Sequence, residues 1–233
     1  MDLIIAGAII KDETMIEKAI LSAPKYNFDN KYILFDGLRS GAGTCQLFSD
    51  NYQAYKKLIS IKFPDFICIE FNENVYFREM IEKVCEISGS ERLFVIQDDV
   101  CCHDMDLEQM IIQMNYVKDL KILCFPHMKI PYTGTNWFQS FDDTFPLPFI
   151  KSHGFTERTF ICDRLNMLNI CKTYPKNNKM NKRFIEFIYN TEMKRSWFKN
   201  ASYDEKEDYW KAWGTYFHYD ILHTHLVGKR FKC

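Results

Sequence analysis

Four short apolar runs, each giving way to a polar loop, fill the first hundred residues, at positions 3–10, 32–35, 66–71 and 93–96. The stretches between them have helical spacing instead. In "TMIEKAILSAP", Thr14 and Glu17 are spaced as a capping box, Met15, Ala19 and Ser22 fall along one side with Ile16 and Ile20 beside them, and Pro24 lies just beyond. Residues 51–60 read as a second helix, and "YFREMIEKVCEIS" places Phe77, Ile81 and Val84 on one helical face. Continuously apolar strands are buried on both faces, and parallel neighbours need a crossover helix between them. The alternation therefore predicts an α/β fold with a mostly parallel central sheet flanked by helices.

The second half is less regular. Residues 107–116 predict a helix, 121–125 and 160–162 strands, and 208–218 a helix with Trp210, Trp213 and Phe217 on one face. The stretch "FPHMKIPYTGTNWFQSFDDTFPLPF" has no usable period. No repeat, low-complexity tract or long linker interrupts the chain, so residues 1–233 are expected to form a single domain.

Composition excludes several partners. Thirty basic against 31 acidic residues give a formal charge of −1, which provides no global field for nucleic acid or an anionic membrane. No apolar run approaches the roughly 18 residues of a membrane span, and "MDLIIAGAIIKDETM" carries an acid where a secretory signal carries basic residues. The expectation is an unprocessed cytoplasmic protein without a transmembrane segment. Nine cysteines contain no C-x-x-C pair, which suits reduced, buried thiols. "CCH" at Cys101 to His103 lacks the second ligand pair of a zinc site.

The chemistry concentrates at "LFVIQDDV", residues 93–100, where Asp98 and Asp99 follow an apolar strand. Ligands of open α/β sheets collect beyond strand carboxyl ends, and adjacent acids there call for a positive charge. A divalent metal shared with a nucleotide diphosphate meets that need. The alternative is that the two acids begin a turn or cap the helix near residues 104–107. Asp36-Gly37 after the second strand is a common turn pair, but its acid is placed to accept from a base or ribose. Arg78 is either a solvated helix residue or a guanidinium for a phosphorylated ligand. The carboxyl-terminal "HYDILHTHLVGKRFKC" is either a basic tail or a half-site in which His225 could ligate a metal and Lys229 and Arg230 could meet phosphate.

Together these residues resemble a nucleotide-sugar glycosyltransferase of the GT-A fold. The resemblance rests on the first strand and helix, "FDG", "NENVYFREMIEKVCE", "VIQDDV" as a DxD-type motif, and "HLVGKR". The chain is also similar to the small glycosyltransferases with which large DNA viruses decorate their capsids, which would place it in the host cytoplasm. The resemblance divides the chain into a nucleotide-binding half, 1–103, and an acceptor half with a metal and phosphate segment, 104–233. It implies a nucleotide-sugar donor, UDP-linked by preference, a glycan or glycoprotein acceptor, and Mn2+ or Mg2+. It implies nucleotide contacts from Gly7, Ala8, Asp36, Arg78, Gln97, Asp98 and Lys229, and metal ligation by Asp99 and His225. The chain departs from the motif at Gln97, which can hydrogen-bond but carries no charge.

Transfer by inversion also needs a base for the acceptor hydroxyl. "SYDEKEDYWKAW" resembles the acid pair of inverting members, with Asp208 as first choice and Glu207 as second. Against this, Ser202 and Glu205 form a capping box that would put Asp208 on a solvated second turn. Trp137, Phe138 and Phe141 are either an acceptor platform or core, and His153 and Glu157 lie in a polar stretch of open role. Two rivals remain. A sugar-phosphate nucleotidyltransferase would want a glycine- and basic-rich loop where this chain has "AGAIIKDETM", and a non-catalytic carbohydrate-binding module has no use for the strand-end acids.

Overall fold

In the computed structural model, described over residues 1–7, 13–38, 46–126, 149–151, 155–174, 185–186, 188, 200–218 and 222–226, the first strand has no solvent face. β1 (Asp2–Gly7) is buried along its whole length. It is followed by α1 (Glu13–Ser22), β2 (Lys31–Phe35), α2 (Gln46–Lys62), β3 (Ile67–Glu70), α3 (Tyr76–Ile87) and β4 (Arg92–Gln97). β1 lies between β2 and β4 and parallel to both, and β3 joins the outer side of β2, also parallel. Residues with no exposed face can be apolar throughout, which is why β1, β2 and β4 lack the polar alternation of a half-buried strand.

The rest of the chain widens this sheet. After β5 (Val100–Cys102) and α4 (Leu107–Tyr116) come β6 (Ile122–Cys124), β7 (Phe149–Lys151), β8 (Thr159–Asp163), α5 (Arg164–Thr173), α6 (Tyr203–Trp213), β9 (Thr215–His218) and β10 (His223–His225). The eight-stranded order is β3-β2-β1-β4-β8-β6-β9-β7. β8 runs antiparallel to both β4 and β6, β9 is parallel to β6, and β7 is antiparallel to β9. Strands from both halves of the sequence thus share one mixed, largely parallel sheet. β5 and β10 form a separate antiparallel pair.

Side-chain alternation along β4 divides the core into two layers. Phe94 and Ile96 pack with Ile16 and Ala19 of α1, Tyr52 and Ile59 of α2, and Met110 of α4. Leu93 and Val95 pack on the other face with Phe77, Ile81 and Val84 of α3, and Met167 and Ile170 of α5. The α3 spacing expected from the sequence is the one that is buried.

Several boundaries move. Thr14 lies inside α1 and does not cap it, while Glu17 pairs with Lys62 of α2. α2 exceeds the expected 51–60 at both ends. The expected 208–218 helix is displaced, because Ser202 and Glu205 form the capping box that starts α6 and Gly214 ends it. Gly214 has φ 60°, donates to Trp210 O at 2.7 Å, and would place a Cβ 2.4 Å from Asp119 O. Only glycine fits that reversal without strain. Trp210 and Trp213 remain buried on α6, whereas Phe217 belongs to β9.

The seven described cysteines are free, and burial raises the Cys85 and Cys102 thiols to about 12, which keeps them protonated and inert. Among the described residues no helix is long and apolar enough to cross a membrane.

Candidate active site at the strand ends

The strand order reverses between β1 and β4, and the crevice beyond the carboxyl ends at such a point is where these sheets take ligands. Backbone bonds seat the acids there. Asp36 N–H donates to Gly7 O at 3.4 Å, and Asp98 N–H donates to Ala6 O at 3.0 Å, so acids leaving β2 and β4 flank the end of β1. Gly7 is required by packing, since a Cβ would lie 2.7 Å from Leu34 O.

Asp98 and Asp99 form the turn between β4 and β5, and they are only 7% and 4% exposed. They do begin a turn, but they are not the cap of α4, the helix that follows. Asp106 caps that helix, accepting from Gln109 N–H at 3.0 Å. Holding two adjacent carboxylates out of water is unfavourable unless positive charge or hydrogen bonds meet them. Gln97, one residue earlier, is half-buried.

The far end of the chain arrives at this turn. In the β5–β10 pair His225 stands opposite Val100, and Leu226 N–H donates to Asp99 O at 2.6 Å. The His225 side chain lies outside the described residues, as do Ala8, Trp137, Phe138, Phe141, His153 and Lys229.

Asp36 has a structural job of its own. Its carboxylate accepts from Gly37 N–H at 2.9 Å, from Val75 N–H at 2.7 Å and from the Asn74 side-chain amide, which fixes the loop entering α3. A Cβ on Gly37 would sit 2.2 Å from the Glu73 carbonyl carbon, so "DG" marks a close backbone crossing as well as a turn. Tyr76 follows with φ 63°, a left-handed conformation that costs a non-glycine residue about 1–2 kcal/mol. Tyr52 O–H donates to the Asp36 carbonyl at 2.6 Å. Burial first, then the charges of Asp36, Asp98 and Glu70, push the Tyr52 hydroxyl above its ordinary range. One phenol therefore feels acids from three strand ends.

Sequence reading missed Lys56, one turn beyond Tyr52 on α2. It is 7% exposed, pairs with Glu70, and lies 5.1 Å from the centre of the Tyr52 ring. The i, i+4 spacing of Tyr52 and Lys56 was visible, but burial of the cation was not. It also left open Glu157, just before β8, which is 4% exposed and whose carboxyl is raised to about 8 by burial.

Two further expected site residues have described surroundings. Arg78 is fully buried, and its guanidinium donates to Cys171 O at 3.2 and 2.6 Å and to Tyr174 O. It ties α3 to the end of α5, satisfying carbonyls that a helix terminus leaves open, and these bonds do not direct it to a diphosphate. Asp208 is turned to solvent, with 80% side-chain exposure and Lys211 at 3.7 Å. Glu207 beside it is half-buried, with Oε2 out of contact with water.

Among the described residues no three His, Cys, Asp or Glu side chains form a metal cluster. The donors at the acid turn are two carboxylates, with the backbone of His225 brought alongside. Hard oxygen donors of that number fit Mg2+ or Mn2+ when a diphosphate supplies further oxygens.

No protein-family model matches the chain, and no curated protein matches it. Solved structures do. S. aureus TarS 1–349 in complex with UDP-GlcNAc has a TM-score of 0.57 at 9% identity, over 100% of this chain and 60% of that one. The mannosyltransferase PcManGT from Pyrobaculum calidifontis, in complex with GDP-Man and Mn2+, has a TM-score of 0.53 at 11% identity, over 82% of this chain and 51% of that one. The fold is that of GT-A-type glycosyltransferases. The chain thus spans between half and two thirds of the length of these glycosyltransferase-fold structures.

Proposed function

We propose that the protein is a metal-dependent glycosyltransferase that moves a sugar from a nucleoside-diphosphate sugar, UDP-linked by preference, to a hydroxyl of a glycan or glycoprotein. The observation that carries this reading is the buried Asp98–Asp99 turn beside the end of β1, with β10 paired against it. The fold shared with structures holding UDP-GlcNAc, or GDP-Man and Mn2+, supports the same ligand class.

In this reading Asp99, with His225, would hold Mn2+ or Mg2+, and Asp98 and Gln97 would face the ribose and diphosphate side. Bound there, the ion would supply Lewis-acid stabilisation of the leaving diphosphate. Lys229 adds a cation to the same phosphates, whose developing charge is what the site must stabilise. Gly7 and Ala8 let the nucleotide lie close to the β1 end, and Asp36 keeps the adjoining loop in shape through Val75 and Asn74. Arg78, in the first turn of α3 beyond that loop, anchors the helix to the end of α5. Glu207, the inward member of the α6 pair, takes the acceptor proton.

A thermal-shift panel of UDP- and GDP-sugars with and without Mn2+ tests the reading, because a ligand at a hundred times its Kd stabilises the fold by about 2.7 kcal/mol. A metal-dependent rise in melting temperature with one sugar nucleotide is expected. No shift with any of them would overturn the proposal.

A further inference from the structure

Glu157 is the buried titratable group that the proposed chemistry leaves unused. Its carboxyl accepts from Glu186 N–H at 2.9 Å and from the Ile185 amide. Ile185 and Ile188 are fully buried in the layer that also holds Phe155 and Phe160. On the other side of Glu157, the Arg158 carbonyl accepts from Gln97 N–H at 2.8 Å, at the last residue of β4. Phe125 N–H donates to Thr159 O at 3.0 Å, so the same short stretch is fastened to the end of β6 as well. Residues 155–159 are therefore the brace against which β4 ends.

We propose that Glu157 is a positioning residue for the acid turn: its carboxyl ties residues 185–186 to the approach of β8, and through the Arg158 carbonyl this sets where Gln97, Asp98 and Asp99 stand. The claim rests on the nucleotide-sugar reading for what the turn binds, but not for the existence of the brace. An alanine there would leave the amides of residues 185 and 186 without their acceptor and let the end of β4 shift. A misplacement of about 1 Å at such a site costs on the order of a hundredfold.

The neighbourhood also gives the brace a pH signature. The charged group acting on Glu157 is the Glu186 carboxyl, itself raised by burial, and the Arg158 guanidinium acts on Glu186 in the opposite sense. The buried Cys124 thiol nearby stays protonated. With its carboxyl raised to about 8, Glu157 is neutral at pH 7. The folded value lies above the unfolded one, so the stability it contributes is fully present below the unfolded value and is lost as pH rises through about 8. Glu157→Gln keeps an acceptor oxygen and the shape, and cannot ionise.

The test compares wild type, Glu157→Gln and Glu157→Ala, measuring UDP binding with Mn2+ by calorimetry from pH 6 to 9, and ligand-free melting temperature over the same range. Glu157→Gln should match wild type within about twofold at pH 6.5, while wild type alone loses about fivefold in affinity as pH rises through about 8, and its ligand-free melting temperature alone falls from pH 6 to about 8 and levels off above that. Glu157→Ala, if folded by circular dichroism, should bind at least about tenfold more weakly at every pH. If it does not fold, the comparison of wild type with Glu157→Gln decides. Parallel pH profiles for those two proteins, or a folded Glu157→Ala that binds as wild type does, would overturn the proposal. If wild type binds neither UDP nor GDP with metal, the nucleotide reading fails by itself, and the ligand-free profiles alone decide whether the brace exists.

Discussion

The chain contains two adjacent acid pairs that look alike in sequence and fare differently in the fold. Asp98–Asp99 sits in a turn at the end of a buried strand, where the backbone carries both side chains out of solvent. Glu207–Asp208 sits on α6, where successive residues are rotated by about 100° and one pair cannot face one way. Glu207 is half-buried, and Asp208 is 80% exposed. Adjacency of acids therefore marks a shared site only where the local backbone period does not separate them. On a helix the unit of a site is i, i+3 or i, i+4, as in Tyr52 and Lys56.

That contrast can be broken experimentally. Its largest consequence is at the turn: Asp99→Asn should lower sugar transfer about a thousandfold, near 4 kcal/mol of transition-state stabilisation, measured as kcat/KM with the active donor. At α6 the members should behave unequally. Glu207→Gln is expected to reduce kcat about a hundredfold with little change in donor KM. Gly37→Ala probes the wall beside the turn, since its Cβ would strike the Glu73 backbone, and urea unfolding should show a loss of roughly 2–3 kcal/mol. The smallest effect belongs to Asp208→Asn, within about threefold in kcat, because a solvated carboxylate near one lysine contributes little. A large loss there with none at Glu207 would reverse the assignment on α6.

Much of the first half was legible because three of its strands, β1, β2 and β4, are buried on both faces and each ends in a loop. Apolar runs at β1, β2 and β4 admitted few other readings. In the second half the strands are three to five residues long, too short for a period to declare itself. Trp210, Trp213 and Phe217 fit a helical face, and what separates the last of them is the left-handed Gly214, whose need comes from the Asp119 carbonyl across the fold. The acid turn was legible as a strand end. The tie of Arg78 to α5, the burial of Lys56 and the raised carboxyl of Glu157 were not, because each depends on what packs against it from a distant part of the chain.

The central claim is that the Asp98–Asp99 turn, closed by β10, holds a metal and a nucleoside diphosphate. Calorimetric titration of UDP into wild type and Asp99→Ala, each with and without Mn2+, tests it most directly. The account predicts Mn2+-dependent binding by wild type and its loss, by about a hundredfold or more, in a variant whose circular dichroism is unchanged. Equal Mn2+-dependent binding by the two proteins would contradict it.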